Sequence, residues 1–152
     1  MNIEVSACLL GECCTYKASH HLVKELMILK DIHYIPVCPE VMGGLMIPRD
    51  PCEIISQEPL KIMSIKGEDK TNAYVQGSLK AIKTFRDNNV KVALLKHKSP
   101  SCGCDGIYNG SFSHQLIKGQ GVFASMCQQC DIKVFHENQI QTFFKYLEKN
   151  RL

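Results

Sequence analysis

Val90-Lys91-Val92-Ala93-Leu94-Leu95-Lys96 is a mainly apolar run with the length of one strand. Such a run is typical of a parallel sheet, because helices cover both faces of a parallel sheet and leave it no polar side. The segment before it, residues 72–88, has a helical pattern with Thr71 as the predicted N-cap. Its apolar positions are Val75, Leu79, Ile82 and Phe85. A helix followed by a buried strand predicts an α/β fold.

Strands and helices are predicted to alternate along the rest of the chain. The predicted main strands are 3–9, 34–38, 90–96 and 132–135. The predicted helices are 22–30, 72–88, 121–130 and about 138–150. Two short strands, 53–56 and 60–65, are predicted to form a hairpin at an edge. This order predicts one α/β domain over residues 1–152, a three-layer α/β/α sandwich with a mostly parallel, Rossmann-like sheet.

Composition and charge exclude several classes of function. The N-terminus has no basic segment followed by an apolar one, and no apolar run approaches about 18 residues. We therefore expect a cytoplasmic protein without a membrane span. The net charge is only +3, and the densest basic stretch, Lys96-His97-Lys98, is too short to follow a phosphate backbone. Nucleic acid polymers are not expected partners, whereas a small molecule is.

Nine cysteines in 152 residues are the unusual feature of the composition. A chain of this length buries enough surface to fold without covalent or metal cross-links. An odd number of thiols in a reducing compartment also argues against a disulfide framework. Metal ligation, catalysis and buried apolar packing remain as explanations.

Cys8, Cys38 and Cys102 follow three of the predicted strands, and Gly or Pro accompanies each of them. Because ligands of open α/β sheets bind at the carboxyl ends of the strands, these thiols can converge. Soft thiolates favour an iron–sulfur cluster or a thiophilic metal, and three of them leave one iron of a cubane open. Their long spacing matches no compact ferredoxin pattern, so buried apolar cysteines remain the alternative.

A set of ordered motifs between residues 3 and about 137 resembles the domain-of-unknown-function 523 family, whose characterised members are thiouracil desulfidases. The main motifs are Val5-Ser6-Ala7-Cys8-Leu9-Leu10-Gly11, Pro36-Val37-Cys38-Pro39-Glu40-Val41, Pro48-Arg49, Ser99-Pro100-Ser101-Cys102-Gly103, Ile107-Tyr108-Asn109-Gly110-Ser111-Phe112 and Gly119-Gln120-Gly121-Val122. The resemblance implies a 4Fe-4S cluster held by Cys8, Cys38 and Cys102 with its fourth iron free. It also implies removal of sulfur from a thiolated base such as 2-thiouracil, giving uracil and sulfide.

Five further residues are candidates for this chemistry. We expect Glu40 to activate water or carry a proton and Ser101 to position the water. Ser99, Arg49 and Tyr108 are candidate substrate-binding residues. Each has a structural alternative: Glu40 can pair with Arg49, the serines can bond their own loop, and Tyr108 can serve packing alone.

The sequence departs from the family pattern in the loop after Cys8. Thr15-Tyr16-Lys17-Ala18 stands where the family commonly has Arg-Tyr-Asp-Gly, and Asn109 stands where an Asp is usual. Cys13, Cys14 and Cys104 lie in the same loops as Cys8 and Cys102, where a thiol can act as a transient fourth ligand, relay sulfur or stay idle. A non-catalytic metal-binding or redox-sensing module and a metal-free binding domain are the competing hypotheses.

Overall fold

A four-stranded, fully parallel sheet is the centre of the structure, a computed structural model that describes residues 1–150. Its strands, in spatial order, are β2 (His33–Val37), β1 (Asn2–Ser6), β5 (Val92–Leu95) and β8 (Lys133–His136). On β5, Leu94 pairs with Val5 of β1 on one side and with Phe135 of β8 on the other. The apolar run around Leu94 is therefore an inner strand, and the predicted parallel α/β sheet is confirmed.

Helices cover both faces of this sheet. On one face lie α2 (Thr71–Asp87) and α3 (Val122–Gln129), whose Phe85 and Phe123 share a core with Leu95. On the other face lies α4 (Ile140–Lys149), which packs Phe143 and Leu147 against β1 and β5. The predicted three-layer architecture is confirmed.

The predicted helix over 22–30 is wrong. The chain forms only a 3-10 turn over Lys24–Ile28, in which Leu26 is buried while Met27 and Ile28 are exposed. The amides of His21 and Val23 donate to the carbonyls of Cys8 and Leu9. These bonds keep the chain extended up to Val23, so too few residues are left for a helix before β2.

Three short elements surround the main sheet. The predicted hairpin is confirmed as β3 (Cys52–Gln57) and β4 (Leu60–Ser64), but it forms a separate antiparallel sheet. A second small hairpin, β6 (Ile107–Tyr108) and β7 (Leu116–Ile117), lies in the long segment after β5. A one-turn helix, α1 (Pro39–Met42), directly follows the end of β2.

The position of α1 depends on two glycines. Gly77 of α2 lies directly under the Pro39 carbonyl, and Gly43 at the end of α1 lies against the Ala73 carbonyl. A Cβ atom at either position would overlap that backbone. The two helices therefore approach backbone to backbone, and this contact aims Glu40 of α1 at Tyr74 of α2.

No helix within residues 1–150 combines the length and the apolar character needed to cross a membrane. Residues 151 and 152, which the one-domain prediction includes, lie outside the described part of the chain. The boundaries of that domain stay a prediction.

Candidate active site

A cavity of about 450 Å³ opens at the carboxyl ends of the three strands β1, β2 and β5. The three thiols predicted to converge all line it: Cys8 in the turn after β1, Cys38 between β2 and α1, and Cys102 in the loop after β5. All three are free thiols. Strand order thus brings together residues that lie about 90 positions apart in the sequence.

The loop that carries Cys102 is fixed by the beginning of α3. The amides of Val122 and Phe123 donate to the carbonyls of Pro100 and Ser101 at 2.9 Å each. Gly121 permits this approach, because a Cβ there would lie 2.5 Å from the Ser101 carbonyl oxygen. The free amides of the helix N-terminus therefore hold the Cys102 loop in place.

Glu40 is the centre of a hydrogen-bond network beside the thiols. Its Oε1 accepts from the Tyr74 hydroxyl at 3.0 Å and from Arg49 Nε at 3.1 Å. Its Oε2 accepts from the hydroxyls of Ser101 at 2.8 Å and Ser99 at 3.2 Å. Four donors converge on one carboxyl group that is only 14% exposed, which suits its ionised form, a pure acceptor.

Arg49 braces this network. Besides Glu40, its guanidinium donates to the carbonyl oxygens of Cys14 at 3.0 Å and Met46 at 3.2 Å. Burial by itself would lower the pKa of Arg49, but the neighbouring Glu40 carboxylate and Cys38 thiol raise it above its usual value. Arg49 therefore stays cationic and fixes the carboxylate. Its predicted contact with substrate stays a prediction.

The two serines connect Glu40 to the Cys102 sulfur. Ser99 Oγ accepts the amides of Ser101 at 3.1 Å and Cys102 at 3.2 Å, as expected of a serine that stabilises its own loop. Ser101 Oγ lies 2.9 Å from Ser99 Oγ and 3.7 Å from Cys102 Sγ. The Ser101 hydroxyl thus lies between the carboxylate and the thiol.

Tyr108 lines the same cavity but stands apart from this network. It lies on β6, is half-buried, and makes an edge contact with the His114 ring at 5.8 Å between ring centres. The structure therefore brings all eight candidate residues to one cavity, with seven of them around Glu40 and the thiols and Tyr108 on another part of the wall.

Two of the cavity thiols, Cys38 and Cys102, have pKa values well above the usual range for cysteine. Interaction with the Cys14 thiol and burial raise the pKa of Cys38 well above its usual range. Burial, with the nearby Cys38, raises the pKa of Cys102 likewise. A metal centre that replaced these protons would neutralise the negative charge of the buried thiolates.

One residue of the site, Tyr74, was missed from the sequence. Tyr74 is 1% exposed and directs its hydroxyl at Glu40, whereas the predicted apolar face of α2 included the exposed Leu79. Tyr74, Gly77, Ser78 and Ala81 recur at spacings of three and four and form the buried face. That spacing is the signal that could have found Tyr74. Of the three auxiliary thiols named from the sequence, Cys14 lines the cavity, whereas Cys13 and Cys104 do not.

A second cysteine group lies at the same edge of the sheet, near the end of β8. The ligand atoms of Cys104, Asp105 and His136 all lie within 4.8 Å of one another. Within residues 1–150 this is the one set of three potential ligands compact enough for a single ion. The sulfurs of Cys8, Cys38 and Cys102 are not all within this distance of one another.

Hydrogen bonds in this second group oppose metal binding. His136 Nδ1 accepts the Asn138 amide at 3.2 Å, so the proton of the neutral ring is on Nε2. Nε2 faces Asp105 Oδ2 at 3.8 Å, and the ring stacks on His97 at 4.4 Å. A metal-ligating histidine instead donates from its second nitrogen. An ion at Nε2 would therefore have to break this cap.

A parallel α/β sheet with free thiols, a buried carboxylate and two hydroxyls at its carboxyl edge defines a class of α/β proteins with a soft-donor reaction site. A sequence model of the family described as 2-thiouracil desulfurase matches residues 3–139. The chain therefore belongs to the 2-thiouracil desulfurase family, as the resemblance of its motifs predicted.

Two individual proteins are similar to this chain over almost their full lengths. The protein YbbK of Bacillus subtilis (strain 168), described as uncharacterized, is 38% identical over 146 residues, which are 91% of this chain and 97% of that protein. The solved structure of the 4Fe-4S-dependent thiouracil desulfidase TudS (DUF523Vcz) superposes with a TM-score of 0.89 and 32% identity. The match covers 97% of both chains.

Proposed function

We propose that this protein is a 4Fe-4S-dependent desulfidase that removes sulfur from a thiolated nucleobase such as 2-thiouracil, giving uracil and sulfide. The observation that carries the proposal is the Glu40 carboxylate, hydrogen-bonded to Ser101 in a cavity that Cys8, Cys38 and Cys102 also line. Membership of the desulfurase family and the likeness to TudS support it.

The residues of the cavity fit such a cluster. Cys8, Cys38 and Cys102 would hold three of its irons, because they are free, soft ligands that come from three separate strand ends. When bound, the cluster supplies a soft Lewis acid that takes the substrate sulfur and makes the attached carbon electrophilic.

Glu40 and Ser101 would handle the protons of the reaction. A water that attacks the carbon must lose a proton, and the Ser101 hydroxyl can accept it while passing its own to Glu40 Oε2, 2.8 Å away. Arg49 and Tyr74 hold Oε1 of the same carboxylate and leave Oε2 to the serines. Glu40 is thus the proposed base and Ser101 the group that positions the water.

Ser99 and Tyr108 are the proposed substrate contacts in the cavity. Arg49 would act on the substrate through Glu40. Ser99 reaches Glu40 Oε2 and so can orient a polar ring group beside it. Tyr108, which also lines the cavity, offers an aromatic ring and a hydroxyl. A flat, polar, aromatic ring matches such a lining.

The reaction needs no electrons. Water adds to the thiocarbonyl carbon, the carbon–sulfur bond breaks, and the oxygen replaces the sulfur, which leaves with two protons as hydrogen sulfide. The oxidation states of carbon and sulfur do not change. We therefore propose hydrolytic, non-redox chemistry on a small thiolated base and not on a nucleic acid polymer.

Anaerobic reconstitution with iron and sulfide, followed by incubation with 2-thiouracil, tests this function. We expect equal amounts of uracil and sulfide without any added reductant, and oxygen from labelled water in the uracil. A cluster-loaded protein that releases no sulfide from thiolated pyrimidines or purines would indicate the non-catalytic redox-sensing alternative.

A further inference from the structure

Two further thiols, Cys14 and Cys52, line the cavity beside the three proposed cluster ligands, but the Cys52 thiol donates to the Asp50 carbonyl at 3.7 Å. Cys14 is 7% exposed and lines the cavity together with Cys8, Cys38 and Cys102. The Cys38 thiol faces the Cys14 carbonyl oxygen at 4.0 Å, so Cys14 is the direct neighbour of a proposed ligand. The adjacent Cys13 is exposed and is not part of the cavity wall. One of two neighbouring cysteines is therefore turned specifically toward the site.

The backbone around Cys14 fixes this orientation. The Cys14 carbonyl accepts Arg49 Nη2 at 3.0 Å, and the Cys14 amide donates to the Glu12 carbonyl at 2.9 Å. The following turn is closed by Thr15 Oγ1 and Ser19 Oγ, 2.8 Å apart. Arg49 also binds Glu40, so the same guanidinium positions the Cys14 backbone and the proposed base.

We propose that Cys14 is the protein ligand of the fourth iron when no substrate is bound, and that the substrate sulfur displaces it. This inference rests on the proposed function, because it requires the cluster. A 4Fe-4S cluster has four irons, and Cys8, Cys38 and Cys102 account for three. Cys14 is a free thiol in the same cavity, of the same soft donor type.

The exchange is balanced in atoms and electrons. The bond between iron and the Cys14 sulfur breaks, and a bond between iron and the substrate sulfur forms. A thioamide gives up its ring N–H proton when its sulfur binds as a thiolate, and the departing Cys14 thiolate takes that proton. No oxidant or reductant takes part, and one thiolate replaces another of similar softness.

A closed resting state has a measurable consequence other than turnover. A cluster held by four thiolates keeps its irons under mild oxidation, whereas an iron without a cysteine ligand is lost and leaves a three-iron cluster. We expect reconstituted wild-type protein, oxidised briefly with ferricyanide, to give a weak three-iron signal in electron paramagnetic resonance. Cys14→Ala should give a signal several-fold stronger.

Cys13→Ala is the matched control, because it removes the neighbouring thiol outside the cavity, and it should behave as the wild type. Cys14→Ser, which nearly keeps the side-chain volume, replaces Cys14→Ala in the test if that variant does not fold. In the two Cys14 variants the KM for 2-thiouracil should fall, since no thiol competes with the substrate for the fourth iron.

The possible failures are distinguishable. Equal three-iron signals in cluster-loaded wild type and Cys14 variants overturn the Cys14 assignment and leave the proposed function intact. Absence of any cluster from the wild-type protein overturns both.

Discussion

Two cysteine regions lie at the same edge of the sheet, and they differ in what their geometry permits. The cavity at the ends of β1, β2 and β5 has thiols around a carboxylate with four hydrogen-bond donors. The group at the end of β8 has Cys104, Asp105 and His136 within 4.8 Å of one another. By ligand distance alone, the second region is the better metal site.

The orientation of single atoms reverses this ranking. His136 uses the lone pair of Nδ1 to cap the following turn, so its second nitrogen carries the proton. The cavity thiols have no such commitment, and their neighbours Ser101 and Glu40 can assist a reaction. The hydrogen-bond partners of a candidate ligand, more than its distance to other ligands, therefore decide whether it has a structural role or is free to bind a metal.

Removing one thiol from each region gives the largest expected difference. Cys38→Ser should lose the cluster almost completely, because a buried hydroxyl is a poor ligand for iron. Cys104→Ser should keep it in full. Iron and acid-labile sulfide per chain after anaerobic reconstitution measure both. Equal cluster loss in the two variants would place the metal centre differently from our assignment.

The carboxylates of the two regions offer the next contrast. Glu40→Gln should retain the cluster but lower sulfide release from 2-thiouracil by about 100- to 10,000-fold, the usual contribution of a general base. Asp105→Asn should leave the rate within about twofold of the wild type, since the Asp105 side chain is exposed and faces His136, and none of the hydrogen bonds of Glu40 involves it. Unchanged turnover of Glu40→Gln at equal iron content would remove Glu40 from the mechanism.

The sequence predicts the convergence of the thiols because convergence depends only on strand order. An apolar strand and alternating helices indicate a parallel sheet, and the ends of parallel strands meet. Cys8, Cys38 and Cys102 could therefore be placed at one edge from periodicity alone. The same reasoning could not separate Cys14 from Cys13, because both lie in a loop without periodicity.

The contacts of Glu40 depend on features that a pattern does not contain. The donor Tyr74 reaches Glu40 only because Gly77 lets α1 rest on the backbone of α2. Of the apolar face predicted for α2, Ile82 and Phe85 are buried, but Leu79 is exposed and the small residues Gly77, Ser78 and Ala81 are buried in addition. Because glycine has no side chain, a pattern of apolar side chains cannot indicate a close helix contact of this kind.

A buried carboxyl behind the cavity should make stability depend on pH. Glu4 of β1 is fully buried, neither of its oxygens has a hydrogen-bond partner among the described residues, and burial raises its pKa to about 9. The folded protein keeps this carboxyl protonated, while the unfolded chain ionises it above about pH 4.5. Stability should therefore fall between these two values as pH rises, by at most about 1.4 kcal/mol per pH unit.

Urea unfolding of Glu4→Gln at several pH values tests this expectation. The amide cannot ionise, so the fall in stability toward alkaline pH should largely disappear. Ser78→Ala is the matched control, because it removes a buried hydroxyl that also lacks a partner but does not titrate. The same slope in wild type and Glu4→Gln would show that another group governs the pH dependence.

His136 should give the smallest effect, with the opposite sign. Burial, with the nearby His97, lowers the pKa of His136, so the folded protein holds the ring neutral where the unfolded chain protonates it. Its contribution to stability is present above about pH 6.5 and should be lost as pH falls, by less than about 1.4 kcal/mol per pH unit. His136→Asn, which keeps an acceptor for the Asn138 amide, should flatten this acid limb, and the exposed His33→Asn should not. If Zn²⁺ instead raises the Tm of the wild type but not of Cys104→Ser, the cap does yield to an ion, and the second region is a metal site after all.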